Sequence, residues 1–290
     1  MSDVLLVTCS ALPDGEAGGA LLMEELAARG VAARWVAWDD PGVDWSAARL
    51  AAVRSAWDYY GRREEFLAWA RSVERLTALV NDARVLEWNT DKLYLLDLID
   101  AGLPVVPTIG AEDESELPPA VAAFDAAVVK PRVGAGGRGV VVFDLEPGGP
   151  EGLDESQLQI GPWVVQPLVE SVRTEGETSV FVLGGRVSAQ ARKVPAAGGE
   201  IRVHEQYGGR TEAVAVTAEA ADLALRTVAV AEKLLDARLP YARVDLMRLA
   251  DGTLAVSELE ASEPGLYLDV VPQNAPAFAD AVVALLAERA

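Results

Sequence analysis

The stretch from Ala127 to Phe143 carries one lysine and a cluster of glycines between two apolar runs. Because glycine has no Cβ, it tolerates positive φ and lets several backbone N–H groups approach one anion. The pattern predicts a strand, a glycine-rich loop and a second strand. The residues expected to hold and cover a phosphate chain are Lys130, Gly134, Gly136, Gly137 and Gly139.

Two better-known phosphate motifs do not fit this stretch. Gly134, Gly136 and Gly139 satisfy the G-x-G-x-x-G spacing, but a strand rather than a helix follows them. A Walker A loop needs Lys-Ser or Lys-Thr after its last glycine, where this chain has Val140 and Val141. A hairpin that closes over phosphates and a solvated hairpin with a flexible tip both remain open from this stretch alone.

An acidic hairpin is predicted near the C-terminal end. Asp251-Gly252 lies between two alternating runs and favours a two-residue turn, so facing positions would sum to 251 + 252 = 503. Asp245 then faces Glu258, and Arg243 faces Glu260. Facing carboxylates, with Cβ atoms roughly 5 Å apart, destabilise a hairpin unless a cation neutralises them. A set of oxygen ligands favours Mg²⁺, and Glu260 would be the third ligand beside Asp245 and Glu258. Carboxylates splayed into water are the alternative.

The first 80 residues alternate between strands and helices. Strands at residues 4–8, 31–36 and 50–54, with a helix at 18–29, predict a parallel α/β unit. Ligands of such sheets gather at the carboxyl ends of the strands. The residues after the third strand are therefore expected to bind substrate: Arg54, Trp57, Asp58 and Tyr59. The alternative is that these aromatic residues pack the loop onto a helix at 63–79.

Lys92 is predicted in the first turn of a helix capped by Asn89 or Thr90 and ended by Gly102. A cation is disfavoured at that end by the helix dipole, so a bound anion would explain it. A solvated surface lysine is the alternative reading.

Later segments supply further candidates. Residues 163–169 are predicted to form a strand, and residues 178–183 and 186–193 to form a hairpin. Arg192 and Lys193 are consecutive and should face opposite sides of it. The glycine-flanked residues 196–209 could order over a ligand. A helix is expected over residues 217–235.

Composition narrows the functional classes. The net charge of −20 argues against nucleic acid or an anionic membrane as a partner. No run of about 18 apolar residues occurs and the N-terminus lacks a basic signal, so a cytoplasmic protein is expected. A single cysteine and a single histidine, Cys9 and His204, disfavour disulfides, thiolate zinc sites and histidine triads.

The order of these motifs over residues 85–265 resembles the ATP-grasp superfamily. The resemblance implies an α/β (α+β) fold with a parallel α/β substrate domain followed by two α+β subdomains that clamp ATP. The boundaries implied are residues 1–87 for the substrate domain, 88–165 for the central subdomain and 166–290 for the C-terminal subdomain.

The resemblance also implies roles for single residues. Lys92 and Lys130 would bind the α- and β-phosphates of ATP, while Lys193 and Arg243 would steady the transferred phosphate. The adenosine contacts would come from Gln166, Leu168, Val169 and Glu177, the last at the ribose. Mg²⁺ would lie on Asp245, Glu258 and Glu260, although the family usually has asparagine at the position of Glu260.

Such enzymes activate a carboxylate as an acyl-phosphate that a nitrogen then attacks. The segments at residues 54–59 and 88–92 resemble antibiotic-pathway members, which implies cyclisation of O-ureido-D-serine. Arg54, Asp58, Arg202 and Arg243 would bind the charged groups of this small amino-acid-like substrate. An intermolecular carboxylate–amine ligase of the RimK-like or glutathione synthetase-like kind and a non-catalytic ATP-binding regulator are the alternatives. Ala- and Val-rich helices leave apolar surface for a homodimer.

Overall fold

The structure is a computed structural model that describes residues 2–144, 161–198 and 200–289. Over these ranges the strands form one parallel sheet of four strands and two further sheets of four and five strands. The mixed α/β class that the sequence predicts is confirmed. Within the described residues, no helix is both long and apolar enough to span a bilayer.

The N-terminal sheet is parallel, with strand order β2-β1-β3-β4. Its elements are β1 (Val4–Thr8), α1 (Gly19–Ala28), β2 (Ala33–Ala37), β3 (Leu50–Ser55), α2 (Arg63–Glu74) and β4 (Ala78–Val80). β1 and β3 are buried along their whole lengths, as central parallel strands covered on both faces should be. The helix predicted over residues 63–79 is too long, because residues 78–80 instead pair with β3.

The second sheet is antiparallel, with strand order β5-β8-β6-β7. Its strands are β5 (Ile109–Ala111), β6 (Ala126–Pro131), β7 (Val141–Asp144) and β8 (Trp163–Pro167), and the nearby helices are α3 (Ala83–Asn89), α4 (Tyr94–Asp100) and α5 (Leu117–Val121). Val128 pairs with Val142, so the glycine-rich segment is the tip of a hairpin. The predicted strand–loop–strand pattern is confirmed.

The predicted cap of the helix near Lys92 is wrong. Asn89 is instead the last residue of α3, which Asp82 caps by accepting a hydrogen bond from Val85 N at 3.0 Å. The predicted helix is α4, which begins at Tyr94 and ends shortly before Gly102. Lys92 lies between α3 and α4, in a turn where its backbone N–H bonds to Arg132 O at 2.9 Å. Its side chain is therefore placed by the glycine-rich hairpin and not by a helix dipole.

The third sheet is antiparallel, with strand order β11-β10-β9-β12-β13. Its elements are α6 (Ser171–Thr174), β9 (Glu177–Leu183), β10 (Arg186–Val194), β11 (Arg210–Val214), α7 (Ala218–Leu235), β12 (Tyr241–Arg248), β13 (Leu254–Glu260) and α8 (Asn274–Ala287). Arg192 is exposed and pairs with Glu212, whereas Lys193 is buried. The two consecutive side chains lie on opposite faces, as predicted.

The register of β12 and β13 confirms the predicted pairs, but the predicted turn is wrong. Arg243 faces Glu260 and Asp245 faces Glu258. The connection between the two strands spans residues 249–253 and not two residues. By itself, this longer loop would shift every facing pair of β12 and β13 by one position. A bulge at Ser257 inserts one extra residue and restores the register at the acidic pair.

The N-terminal sheet and the C-terminal end of the chain share a hydrophobic core. One apolar cluster contains Leu6 of β1 and Leu22 of α1 together with Phe181 of β9 and Phe278 of α8. Arg29 after α1 also donates to Asp280 of α8 at 2.7 Å. This contact brings the loops after β1 and β3 close to the strands that carry the acidic pair.

Candidate active site

A cavity of about 380 Å³ lies between the glycine-rich hairpin and one face of the third sheet. Most residues that the sequence singles out line it. They are Trp57, Tyr59, Lys92, Lys130, Gly134, Gly136, Gly137, Gln166, Leu168, Val169, Glu177, Lys193, Arg202, Arg243, Asp245, Glu258 and Glu260.

Three of the predicted ligand contacts, Arg54, Asp58 and Gly139, are not among the residues that line the cavity. Arg54 is fully buried and donates to Glu16 and to the Pro264 carbonyl, both at 2.7 Å, so its guanidinium does not face the cavity. Asp58 accepts hydrogen bonds from Trp38 Nε1 at 2.8 Å and from Arg62 at 2.7 Å. Gly139 has positive φ and lies between Arg138 and Val140, which both line the cavity.

Asp245 is the hub of the charged network. It is 1% exposed, and its two oxygens accept from Arg243 at 3.0 and 2.9 Å, from Lys193 at 2.8 Å and from Ser179 at 2.6 Å. Burial favours the neutral acid, but Arg243 and Lys193 outweigh it and hold the pKa of Asp245 below its usual range. Asp245 thereby fixes two cations at the cavity wall.

Two lysines reach the cavity from the second sheet and from the turn before α4. Lys92 Nζ lies 2.8 Å from Glu258 and donates to Gly134 O at 3.2 Å, so it links the loop to the acidic hairpin. Burial lowers the pKa of Lys130, and the neighbouring cations Lys92 and Lys193 add to this, although Glu258 opposes it. Among residues with described positions, none forms an ion pair with Lys130. An anion in the cavity would supply one.

The residues predicted to contact adenosine all line the cavity. Gln166 is buried and donates to Thr108 Oγ1 at 2.9 Å, while Leu168 and Val169 follow at the end of β8. Leu168 N is already bonded to Ala126 O at 2.8 Å. Glu177 forms an ion pair with Lys193.

Two loops meet above the cavity. Gly136 and Gly137 have φ of +64° and +69°, which residues with a Cβ rarely adopt. Gly136 O accepts from Gln206 Nε2 at 2.7 Å, so the glycine-rich loop contacts the loop at residues 201–207. The guanidinium of Arg202 stacks 3.6 Å from the centre of the Tyr207 ring and pairs with Glu200 at 2.6 Å. This second loop, which the sequence predicts could order over a ligand, contacts the glycine-rich loop directly.

Three carboxylates converge on the acidic hairpin. Ligand oxygens of Asp245, Glu258 and Glu260 lie within 4.8 Å of one another. Such a hard oxygen set suits Mg²⁺. The side chains of Glu258 and Glu260 are 31% and 26% exposed, so they have better access to a cation than Asp245, whose oxygens are already occupied. Burial raises the pKa of Glu260 to about 7 despite the neighbouring Arg243.

Sequence reasoning missed two residues that shape the site. Asn89 accepts from the backbone N–H groups of Ala261 and Ser262, at 2.7 and 2.9 Å, and donates to Leu259 O at 2.7 Å. Asn89 thereby fixes the backbone that follows the predicted metal ligands Glu258 and Glu260. Glu263 lines the cavity and is 7% exposed. Its signal in the sequence was a third acid after Glu258 and Glu260, directly before Pro264-Gly265.

Burial raises the pKa of Glu263 to about 8, and the nearby Glu260 adds to the effect. The same carboxyl group contributes to the raised pKa of the buried Tyr59, and Trp57 Nε1 donates to the Glu263 carbonyl at 3.0 Å. The two aromatic residues after β3 therefore meet the acidic segment at the cavity wall.

Comparisons with known proteins agree with this geometry. Residues 4–81 match the family model for the N-terminal domain of D-cycloserine synthetase DcsG, and residues 91–248 match the ATP-grasp domain of prokaryotic glutathione synthetase. The chain is 34% identical over 288 residues to the cycloserine biosynthesis protein DcsG of Streptomyces lavendulae, covering 92% of each chain.

Solved structures show the same fold. The crystal structure of D-cycloserine synthetase DcsG is similar with a TM-score of 0.86 and 30% identity, covering 98% of this chain and 99% of that one. The ATP-grasp ligase PsnB, complexed with minimal precursor, Mg and ADP, is similar with a TM-score of 0.63 and 21% identity, covering 98% of each. The chain therefore belongs to the ATP-grasp ligase family and is an ATP-dependent ligase.

Proposed function

We propose that this ligase uses ATP to phosphorylate the carboxylate of a small amino-acid-like substrate, after which a nitrogen displaces phosphate and a C–N bond forms. The observation that carries the proposal is the composition of one cavity. Its wall combines four cations with converging carboxylates: Lys92, Lys130, Lys193 and Arg243 with Asp245, Glu258 and Glu260. Phosphoryl transfer depends on such positioning and charge neutralisation more than on proton transfer.

The nucleotide would lie along the second sheet. The adenine would lie against Gln166, Leu168 and Val169, and Glu177 would bind the ribose. Lys92 and Lys130 would bind the α- and β-phosphates under the loop formed by Gly134, Gly136, Gly137 and Gly139. Lys130 supports this arrangement. It is a partly buried cation without an ion-pair partner among the described residues, and a bound phosphate would supply that partner.

Lys193 and Arg243 would contact the transferred phosphate at the centre of the cavity. Both are buried and held by Asp245, so their charges are fixed before a substrate arrives. Preorganised charge of this kind stabilises a transition state without reorganisation at the moment of reaction. Arg202 would approach from the loop above, where its guanidinium lines the cavity.

Glu258 and Glu260 would hold Mg²⁺, with Asp245 beside them. Bound Mg²⁺ neutralises charge on the β- and γ-phosphates during transfer. Glu258 forms an ion pair with Lys92, and Glu260 forms one with Arg243. Both carboxyl groups line the cavity.

The specific reaction we propose is cyclisation of O-ureido-D-serine to D-cycloserine. Similarity to DcsG over nearly the whole chain supports it. The aminooxy nitrogen would attack the acyl carbon of the same molecule, the bond from that carbon to the phosphate oxygen would break, and phosphate would leave. Water would then hydrolyse the carbamoyl group from the ring nitrogen, releasing carbon dioxide and ammonia and leaving an N–H group in the product. Trp57 and Tyr59 line the part of the cavity where this substrate would bind.

The match of residues 91–248 to the glutathione synthetase domain favours a second candidate, an intermolecular carboxylate–amine ligase. In that reaction the attacking nitrogen comes from a separate amine. A requirement for two substrates would distinguish it from ring closure.

Phosphate release from Mg-ATP by the purified protein tests both candidates. Release with O-ureido-D-serine alone, exceeding that with its L form, is expected for cyclisation, and mass spectrometry should detect the ring product. Release only with an amino acid plus an amine would replace cyclisation by the intermolecular reaction. The absence of release with every carboxylate, with and without amines, would overturn the proposed acyl-phosphate chemistry.

A further inference from the structure

Glu263 is a buried carboxylate in the cavity wall that the proposed ATP and Mg²⁺ contacts do not use. It is 7% exposed and lines the cavity together with Tyr59. Its Oε2 atom finds no hydrogen-bond partner anywhere in the described part of the chain. Leaving a buried acceptor unpaired costs free energy, so an orphan of this kind indicates a ligand group.

The charges around Glu263 are already matched to other partners. Lys92 pairs with Glu258, Lys193 with Glu177 and Asp245, and Arg243 with Asp245 and Glu260. Among the described residues, none forms an ion pair with Glu263. A cationic group in the cavity would stabilise the charged form of this carboxyl group.

The backbone from Glu263 onward is tied to residues of the N-terminal α/β unit. Trp57 Nε1 donates to Glu263 O at 3.0 Å, Arg54 donates to Pro264 O at 2.7 Å, and Leu266 N donates to Glu16 at 2.7 Å. The three hydrogen bonds fix the direction from which the carboxyl group enters the wall. Arg54, which does not face the cavity, thus acts on it by holding this segment.

Gly265, which follows Glu263 by two residues, connects this segment to Arg243. Arg243 Nη1 donates to Gly265 O at 3.1 Å. A Cβ built at Gly265 would lie 3.5 Å from Arg243, from Trp57 and from Tyr267. The α-ammonium and carboxylate groups of an amino acid are attached to the same carbon. A carboxylate directed at Arg243 would therefore leave its ammonium group close to the Glu263 segment.

We propose that the Glu263 carboxylate binds the α-ammonium group of the amino-acid substrate. This inference rests on the proposed function, because it assigns one group of the same substrate. Glu263 would take the role that the sequence suggested for Asp58 as a contact to a charged group of the substrate. The carboxylate of Asp58 already accepts hydrogen bonds from Trp38 and Arg62.

The test compares wild type, Glu263→Gln and Asp269→Asn by steady-state phosphate release. Asp269 is an exposed acid of the same segment, so its variant removes an equal charge away from the cavity. Glu263→Gln should raise KM for the amino-acid substrate by about 30-fold or more, because a charge-assisted hydrogen bond is lost. KM for ATP should stay within about 2-fold in both variants, and Glu263→Asp should recover part of the loss.

A substrate analogue without the α-amino group separates ammonium binding from a general defect. Its affinity is measured as a competitive inhibition constant, with 3-(ureidooxy)propanoate as the probe for a ureido substrate. Glu263→Gln should weaken the amino compound at least about 10-fold more than this analogue. Equal weakening of both molecules, or no weakening of either, would overturn the ammonium contact while leaving the proposed function intact.

Failure of the proposed function has a different signature. Wild type would then release no phosphate with O-ureido-D-serine or with any other carboxylate, and both proposals would be overturned together. If another amino acid proves to be the substrate, the same comparison uses that compound and its deamino form.

Discussion

Lys193 and Arg192 are adjacent in sequence but have opposite environments. Lys193 is buried between Glu177 and Asp245, and these carboxylates outweigh burial and hold the pKa of Lys193 well above its ordinary value. Arg192 pairs with Glu212 at the exposed face of the sheet. Because one side chain reaches the cavity and the other does not, the pair provides a matched test.

Lys193→Met should lower kcat for ATP-dependent phosphate release by about 100-fold or more, the usual cost of removing one preorganised donor. Arg192→Met should keep kcat within about 3-fold, because exposed ion pairs contribute little. Both are measured at saturating ATP, Mg²⁺ and substrate. Equal losses in the two variants would contradict a role of Lys193 at the transferred phosphate.

At the scale of elements, the pairing of β9 with β10 places Glu177 opposite Lys193, and Gly176 forms the bend just before this pair. Gly176 has φ of +80°, and a Cβ there would lie 2.3 Å from the backbone oxygen of Lys193. Gly185, in the turn between β9 and β10, has a similar φ of +73° but open space around its Cβ position. Both positions therefore have a left-handed backbone conformation, but only Gly185 has space for a Cβ.

We expect Gly185→Ala to lower the free energy of unfolding by about 1 kcal/mol, the cost of a left-handed conformation for a residue with a Cβ. Gly176→Ala should cost at least about 2 kcal/mol more, because a backbone atom must also move away. Urea denaturation followed by circular dichroism measures both. If Gly176→Ala lowers the free energy of unfolding less than Gly185→Ala does, the close approach of Lys193 O to the Cβ position of Gly176 is contradicted.

At the scale of the whole molecule, the buried position of Glu263 exists only because the N-terminal sheet packs against the third sheet. Burial raises the pKa of Glu263 to about 8, above the value of about 4.3 expected in the unfolded chain. Between these values the folded protein holds a proton that the unfolded protein has lost. The free energy of unfolding should therefore fall as the pH rises.

Without ATP, Mg²⁺ or substrate, Glu263→Gln should become more stable relative to wild type by as much as about 3 kcal/mol between pH 5.5 and 8. Urea denaturation at several pH values measures this difference, with Asp269→Asn as the control. Parallel pH profiles for wild type and Glu263→Gln would contradict a buried, protonated Glu263 in the ligand-free protein.

Local sequence patterns predicted much of the fold and the central part of the site. Alternating apolar residues and glycines located the phosphate-type hairpin, and the spacing of acids located the pairs of Asp245 with Glu258 and of Arg243 with Glu260. The pairs were predicted from a two-residue turn, yet they form because a bulge at Ser257 offsets a longer loop. The motif order also indicated the family, which the comparisons confirmed.

What the sequence determined by itself was therefore the order of elements, the family and the side chains that face each other across neighbouring strands. These features depend on residues close in sequence or on a repeat of two along a strand. Only the tertiary structure decided that Arg54 and Asp58 turn away from the cavity while Asn89 and Glu263 shape it. Those outcomes depend on contacts such as Arg54 with Pro264 and Asn89 with Ala261, which join distant parts of the chain. Periodicity along the chain carries no information about such contacts, because packing between separate sheets creates them.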